Sequence, residues 1–296
     1  MNVVSRTAGP QDEGRRLGRF VLGAMGVSHR CFSRLKNENA VFVNGESAHA
    51  DRLLHAGDVV TLSLPADMGR ADVLVMPEEG EVPIVFEDAY LFVVDKPAPL
   101  PCQCSAKQSG GTLENRLAWR FRQTPGYLFR PVNRLDKGTS GLMAVAKDRH
   151  TCQLMQARLH TSDCVREYLA VVDGFMQGEG VFRLPLCKED GASIRRVVDF
   201  QRGSEAVTHW KALKAGEKRS LVRLRLETGR THQIRAHLCY AGHPVTGDFL
   251  YGREIPELPG RFALHSWCLR FRHPVTDELI ELRSPLPPSL RALLKG

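Results

Sequence analysis

Asp136 is the residue whose setting most suggests chemistry. It lies in Pro131–Lys147, PVNRLDKGTSGLMAVAK, between Arg134 and Lys137. A Gly-Thr-Ser-Gly turn follows, built from residues that reach backbone shapes others avoid. Leu142–Ala146 is a continuous apolar run, which predicts a buried strand. The sequence therefore places one acid at the lip of a sheet, in a cationic setting. A strand fixes such a group better than a loose loop does. A lone Asp in a turn otherwise serves only as a turn former or helix cap.

Other chemistries fail on spacing. His232 and His237 are five apart, not the four of a helical zinc pair. His237, Cys239 and His243 match no established ligand spacing. Gly138-Thr139-Ser140-Gly141 is not a Gly-x-Ser-x-Gly elbow. The chain has neither a phosphate loop nor a dinucleotide fingerprint.

The elements that would position Asp136 can be read from pattern. Met1 to about Gln11 is polar and predicted to fray. Arg15–Met25 carries Leu17, Phe20, Val21 and Ala24 at helical spacing. A second helix runs from Ser28 to Lys36, with Phe32 and Leu35 inward and Arg30 and Arg34 sharing an outer face. Val41–Gly45 ends in a hairpin signal, and Val59–Leu64 is a strand. Met68–Val82 reads as a linker. Ile84–Phe86 and Leu91–Val94 are strands, and Pro99–Gly111 looks like a mobile loop. Asp148 caps a helix to about His160. Arg166–Gly174 is a strand, and Val222, Leu224 and Leu226 alternate with Arg223, Arg225 and Glu227 as a half-buried strand. Ile234, Leu238 and Ala241 mark a helix ended by Gly242 and Pro244.

Length and composition bound the class. The 296 residues suit about two domains, and 43% hydrophobic content suits ordinary globular cores. Lys and Arg number 41 against 33 Asp and Glu, a net charge of +8. A basic balance fits a polyanionic partner such as nucleic acid. The eight cysteines are scattered without a Cys-x-x-Cys pair, and Met1–Gly14 has no apolar signal core. These features predict reduced thiols and a cytoplasmic protein. No apolar run approaches the ~18 residues of a membrane span.

The stretch around Asp136 resembles the signature of the RluA family of RNA pseudouridine synthases, close to His-Arg-Leu-Asp-x-x-Thr-Ser-Gly-Leu. Asn133 stands where the family more often has His. Arg134, Leu135, Asp136, Thr139, Ser140, Gly141 and Leu142 match. Three further segments agree in order. Arg166-Glu167-Tyr168-Leu169-Ala170 resembles the family's Lys-x-Tyr-x-Ala strand, with Arg for Lys. Thr228–Leu238, TGRTHQIRAHL, resembles its third motif, and Arg261–Leu269 with His273-Pro274 its last. Asp95-Lys96-Pro97 resembles the opening of the synthase domain, with Ala98-Pro99 where the family continues Ala-Gly. Residues 15–65 resemble a small RNA-binding module, the α-L type.

The resemblance implies a role for each matching residue. Asp136 would be catalytic. Tyr168 would stack on the target uracil, since a ring can stack on a flipped base while its hydroxyl stays polar. Arg235 would pair with Asp136 and favour its carboxylate form. Arg134, Arg230 and Leu264 would contact substrate, with Leu264 lining the uracil pocket. Arg30, Arg34 and Lys36 would meet RNA phosphates. The expected fold is α+β around a mixed, largely antiparallel sheet. The expected organisation is a module at 12–66, a linker at 67–82 and a catalytic domain at 83–296. The expected activity is isomerisation of uridine to pseudouridine in structured RNA, ribosomal before transfer RNA, by a monomer with no cofactor and no metal. The alternatives are a non-catalytic RNA-binding or ribosome-assembly protein and, more distantly, a nucleoside hydrolase.

Overall fold

The structure is a computed structural model that describes residues 2–25, 27, 29–64, 75–105, 108, 110–191 and 193–295, without the side chains of residues 2, 29–31 and 64. The amino-terminal part comprises β1 (Asn2–Thr7), α1 (Leu17–Gly23), α2 (His29–Asn37), β2 (Val41–Val43), β3 (Glu46–Ser47) and β4 (Val59–Leu64). Its strands lie in the order β1-β4-β2-β3. Leu17, Phe20 and Val21 of α1 pack with Phe32 and Leu35 of α2 on Val41, Val43, Val60 and Leu62, forming a core of their own. Asn44 and Gly45 both take positive φ, as a tight two-residue hairpin demands.

The first residues differ from the sequence expectation. Asn2–Thr7 is not frayed but pairs along its whole length with β4, from Asn2 opposite Leu64 to Thr7 opposite Val59. Val4 is the residue it buries. One inward apolar side chain suffices here because the backbone pairing closes a strand edge that β4 would otherwise leave open. The sheet thus begins ten residues before the boundary expected at residue 12. Ser28, the expected cap of α2, lies outside the described residues.

The second half of the expected linker is not free chain. Asn115 donates from Nδ2 to the Met76 carbonyl at 2.8 Å, and the Glu78 N–H donates to the Asn115 carbonyl at 3.1 Å. Val82 is buried. Residues 67–74, the rest of that segment, lie outside the described residues.

The remainder is built from β5 (Ile84–Glu87), β6 (Leu91–Lys96), α3 (Leu113–Arg120), β7 (Arg130–Pro131), β8 (Ser140–Ala146), α4 (Arg149–Arg158), β9 (Cys164–Asp173), β10 (Glu179–Arg183), β11 (Leu186–Lys188), β12 (Arg196–Val198), β13 (Val207–Lys214), β14 (Arg219–Leu226), α5 (Gln233–Tyr240), β15 (Leu264–Arg272), β16 (Leu279–Arg283) and α6 (Pro288–Ala292). Among the described residues ten strands form one mixed sheet in the order β10-β13-β14-β9-β15-β8-β6-β5, with β16 on β15 and β7 on β8. Only β15 and β8 run parallel; the other pairings are antiparallel. This is the α+β architecture read from the sequence. β11 and β12 form a separate hairpin.

All seven residues of β8 are buried, because helices cover both faces of the sheet. Met143 and Val145 face a core shared with α3 and α5. Leu142, Ala144 and Ala146 face a second core with Met155 and Leu159. No helix among the described residues is long and apolar enough to cross a membrane.

Candidate active site

Asp136 sits in the turn that feeds β8. The Thr139 N–H donates to the Asp136 carbonyl at 3.1 Å and closes the turn. Leu135 is buried below it. Gly138 lies against Phe262, where a Cβ would come within 2.6 Å of the ring. Arg134 and Lys137 both point into solvent. The cationic setting expected from the chain neighbours is therefore supplied by a different residue, 99 positions away.

That residue is Arg235, on the first turn of α5 and 2% exposed. Its Nη1 donates to Asp136 Oδ2 at 2.9 Å. Its other edge grips Asp248, Nε to Oδ2 at 2.6 Å and Nη2 to Oδ1 at 2.9 Å. Such a two-pronged pair fixes the plane of the guanidinium. The face of the guanidinium lies 4.2 Å from the centre of the Phe262 ring and 5.0 Å from that of Tyr251. Burial opposes the charge of Arg235, yet its bonds to Asp248 and the two carboxylate charges outweigh that cost and raise its pKa.

Asp248 escaped the sequence reading. It is fully buried and also accepts the N–H groups of Leu250 and Tyr251. The only signal was local: Gly247-Asp248 before Phe249-Leu250-Tyr251 reads as a turn, and that is what it forms.

Two further groups were missed. His232 precedes α5 with φ +56, and its Nε2 lies 3.9 Å from Asp136 Oδ2. Burial, with the charge of Arg235, lowers its pKa and favours the neutral ring. Lys96 ends β6 and is wholly buried. Its ammonium donates to the carbonyls of Leu100 at 2.7 Å, Pro97 at 3.1 Å and Lys137 at 3.4 Å, so it ties the Asp136 turn from behind. Burial pulls its pKa down to about 8, against the opposite pull of Cys102 and Asp136. Lys96 and Arg235 together balance Asp136 and Asp248. The cluster is neutral when all four are ionised.

The sheet brings the remaining residues in. Tyr168 on β9 pairs across to Ser266 on β15, and Ser266 pairs across to Gly141 on β8. Tyr168 is close enough to Asp136 to feel its charge. Tyr168 is 5% exposed; burial, with a smaller push from the Asp136 charge, raises its pKa and keeps the phenol protonated. Leu264 opens β15 and belongs to the same buried cluster as Tyr168 and Phe262. Arg230 is exposed at the rim, with Nε donating to the Glu205 carbonyl at 3.0 Å.

The amino-terminal candidates are apart from this cluster in sequence and core. Arg34 pairs with Glu38 at 2.8 Å, and Lys36 lies over the Phe32 ring at 5.2 Å. The side chain of Arg30 lies outside the described residues. His237 bonds Thr208 and the Leu184 carbonyl, and His243 the Asp173 carbonyl. Among the described residues no group of three or more His, Cys, Asp or Glu could hold a metal ion.

A buried arginine shared between two acids thus ties the Asp136 turn to α5. Residues 90–240 match the family model described as RNA pseudouridylate synthase. The chain belongs to the RNA pseudouridine synthase family, in its RluA branch, and is an isomerase that acts on RNA. A Bacillus subtilis (strain 168) protein named Uncharacterized RNA pseudouridine synthase YjbO is 35% identical over 278 residues, 93% of this chain and 96% of its own length. Ribosomal large subunit pseudouridine synthase D of Pasteurella multocida is 33% identical over 286 residues, 89% of this chain and 86% of its own. The solved structure titled Human RNA Pseudouridylate Synthase Domain Containing 1 superposes with a TM-score of 0.57 at 28% identity, covering 73% of this chain and 89% of that one.

Proposed function

We propose that the chain isomerises uridine in ribosomal RNA and that Asp136 begins the reaction. The bond from ribose to N1 of uracil breaks, the base turns, a bond forms from ribose to C5, C5 gives up its proton, and N1 takes one up, so the product is an isomer of the substrate. Such a change needs neither an activated water nor a departing group, so one carboxylate can serve where most glycoside hydrolysis uses two. The observation that carries the reading is the grip of Arg235 on one oxygen only. Oδ2 of Asp136 is held, while Oδ1 accepts no hydrogen bond from the described residues and the side chain is 28% exposed. The free oxygen can attack C1′, attack the ring, or take the 2′ hydrogen.

Tyr168 then stacks on the extruded base, with Leu264 beside it, and Arg235 holds the carboxylate in place. Arg134 and Arg230 meet the backbone at the rim. Residues 2–64 act as an RNA-binding module through Arg30, Arg34 and Lys36. Ribosomal RNA is favoured over transfer RNA because relatives that match over most of their length carry ribosomal large subunit names. A ribosomal substrate supports a cytoplasmic location, and the reaction as written invokes neither metal nor cofactor.

Asp136→Asn keeps the shape and loses the charge. Its tritium release from 5-tritiated uridine in ribosomal RNA should vanish while RNA binding stays near normal. Release at the wild-type rate would remove Asp136 from the mechanism. Mapping pseudouridine in cellular RNA with and without the gene identifies the target; loss confined to transfer RNA would overturn the ribosomal assignment.

A further inference from the structure

We propose that His232 is a positioning residue for Asp136, and that the Tyr251 hydroxyl fixes its imidazole as the Nε2–H tautomer so that this N–H orients Oδ2. The inference rests on the reading of Asp136 given above. Its geometry is a chain of polar atoms leading away from the carboxylate. The Arg196 backbone amide can only donate, and it donates to Tyr251 Oη at 2.7 Å. That interaction occupies one lone pair of the phenol and leaves its proton to go elsewhere. Oη lies 3.2 Å from His232 Nδ1.

Two neutral tautomers compete. With the ring proton on Nδ1, the phenol oxygen would accept twice, its own proton would have no partner in this chain of contacts, and the Nε2 lone pair would face a carboxylate oxygen. With the phenol donating to Nδ1, the ring proton sits on Nε2 and faces Oδ2 at 3.9 Å. Each polar atom then meets its opposite. The charged ring is disfavoured by burial and by the Arg235 and Arg196 charges, against the pull of Asp136 and Asp248.

The backbone adds a second observation. His232 stands in the left-handed region at φ +56, uncommon for a residue with a Cβ. Strained placements of this kind persist where the surrounding structure holds them. Here the side chain is held at 11% exposure against the carboxylate. The 3.9 Å separation is too long for a hydrogen bond. Catalytic bonds are often long in the free enzyme and tighten when substrate seats. Arg235 and His232 would then both hold Oδ2 and leave Oδ1 to the uridine.

The test uses the full chain with ring-labelled histidine. Nitrogen-15 spectra at neutral pH should show a protonated Nε2 and an unprotonated Nδ1 for His232, assigned by the signal lost in His232→Gln. Tyr251→Phe should shift that signal to a tautomer mixture. In single-turnover assays at saturating RNA, Tyr251→Phe should slow isomerisation roughly tenfold, the scale of one lost neutral hydrogen bond, with RNA affinity unchanged. His232→Gln retains an N–H donor at the same reach and should be faster than His232→Leu. A wild-type spectrum of the Nδ1–H tautomer, or of the imidazolium, would overturn the proposal, whatever the variants do. So would a full rate for Tyr251→Phe alongside an inactive Asp136→Asn. An active Asp136→Asn would instead refute the reading of Asp136, leaving the tautomer to be judged by the spectra alone.

Discussion

At the scale of single residues, the site is a balance of four buried or half-buried charges. Asp248 is the member whose removal is most informative, because it touches Arg235 and not the space where uridine would sit. Asp248→Asn keeps the volume but turns an amide N–H₂ toward a group that can only donate. Breaking a buried pair in this way costs about 3–5 kcal/mol, which urea unfolding should register. The guanidinium would also lose its plane, and a misplacement near 1 Å can cost ~10²-fold in rate. Single-turnover kinetics should show that loss with little change in RNA affinity; equal losses in both would point to general unfolding. Lys96 offers a pH signature. Its pKa of about 8 lies below the ordinary lysine value, so the unfolded chain binds the extra proton between those values. Stability should therefore rise with pH from about 8 to the ordinary lysine range, and Lys96→Met should remove that rise. Melts of both proteins across that window test it. Asp136 stood out through its cationic, turn-rich setting, and its contact with Arg235 was an implication of the family resemblance. Asp248 and Lys96 were not legible, since nothing in a sequence shows which distant charge a buried acid or lysine will meet.

At the scale of elements, the site depends on how closely β8 and β15 approach. Gly141 has φ +107, and a Cβ there would overlap the backbone of Ser266. Both the conformation and the space exclude any other residue. Gly141→Ala should destabilise the protein by about 3 kcal/mol or more, a size reserved for clashes in packed interiors. Gly178 is a control: it also has positive φ, +82, but open space around it. Its change to Ala carries only the left-handed penalty of roughly 1–2 kcal/mol. Comparable losses at the two positions would refute the close-approach argument. Seven of the sixteen strands among the described residues, β2, β4, β5, β6, β8, β9 and β14, were legible from alternation or apolar runs, and Asp148 does cap α4 by accepting the Thr151 N–H. Two of the misreadings concern segments whose order comes from elsewhere. β1 is polar in sequence but completes a sheet edge. The Pro99–Gly111 loop looks mobile in sequence, yet the thiol of Cys102 donates to the Leu135 carbonyl at 3.0 Å, and the Leu100 N–H donates to the Lys137 carbonyl at 2.9 Å. These contacts tie the described part of the loop to the Asp136 turn, and no local pattern reports such long-range backbone pairing.

At the scale of the whole molecule, the sequence separates a small amino-terminal sheet from the large one, and the structure gives each its own core. The distribution of charge then decides how much the small part can contribute to RNA binding. Residues 1–66 hold eight Lys or Arg against six Asp or Glu, so most of the positive excess belongs to the larger part. Arg34 is also partly neutralised by Glu38. The module can thus supply only a few phosphate contacts, not the bulk of the affinity. Deleting residues 1–66 should weaken RNA binding and flatten its salt dependence, by ~1.4 log units per log unit of salt for two lost single-strand contacts. A large share of the slope should remain, carried by the basic residues of the larger part. The rate at saturating RNA should be unchanged, because every residue placed at the candidate active site lies beyond residue 95. Arg34→Glu in the full chain separates charge from mere bulk: it should flatten the slope in the same direction with the module intact. Binding measured from low to moderate salt for all three proteins decides the matter. Equal slopes would mean that the module does not touch phosphate. A slope lost almost entirely on deletion would mean that the larger part does not hold RNA alone.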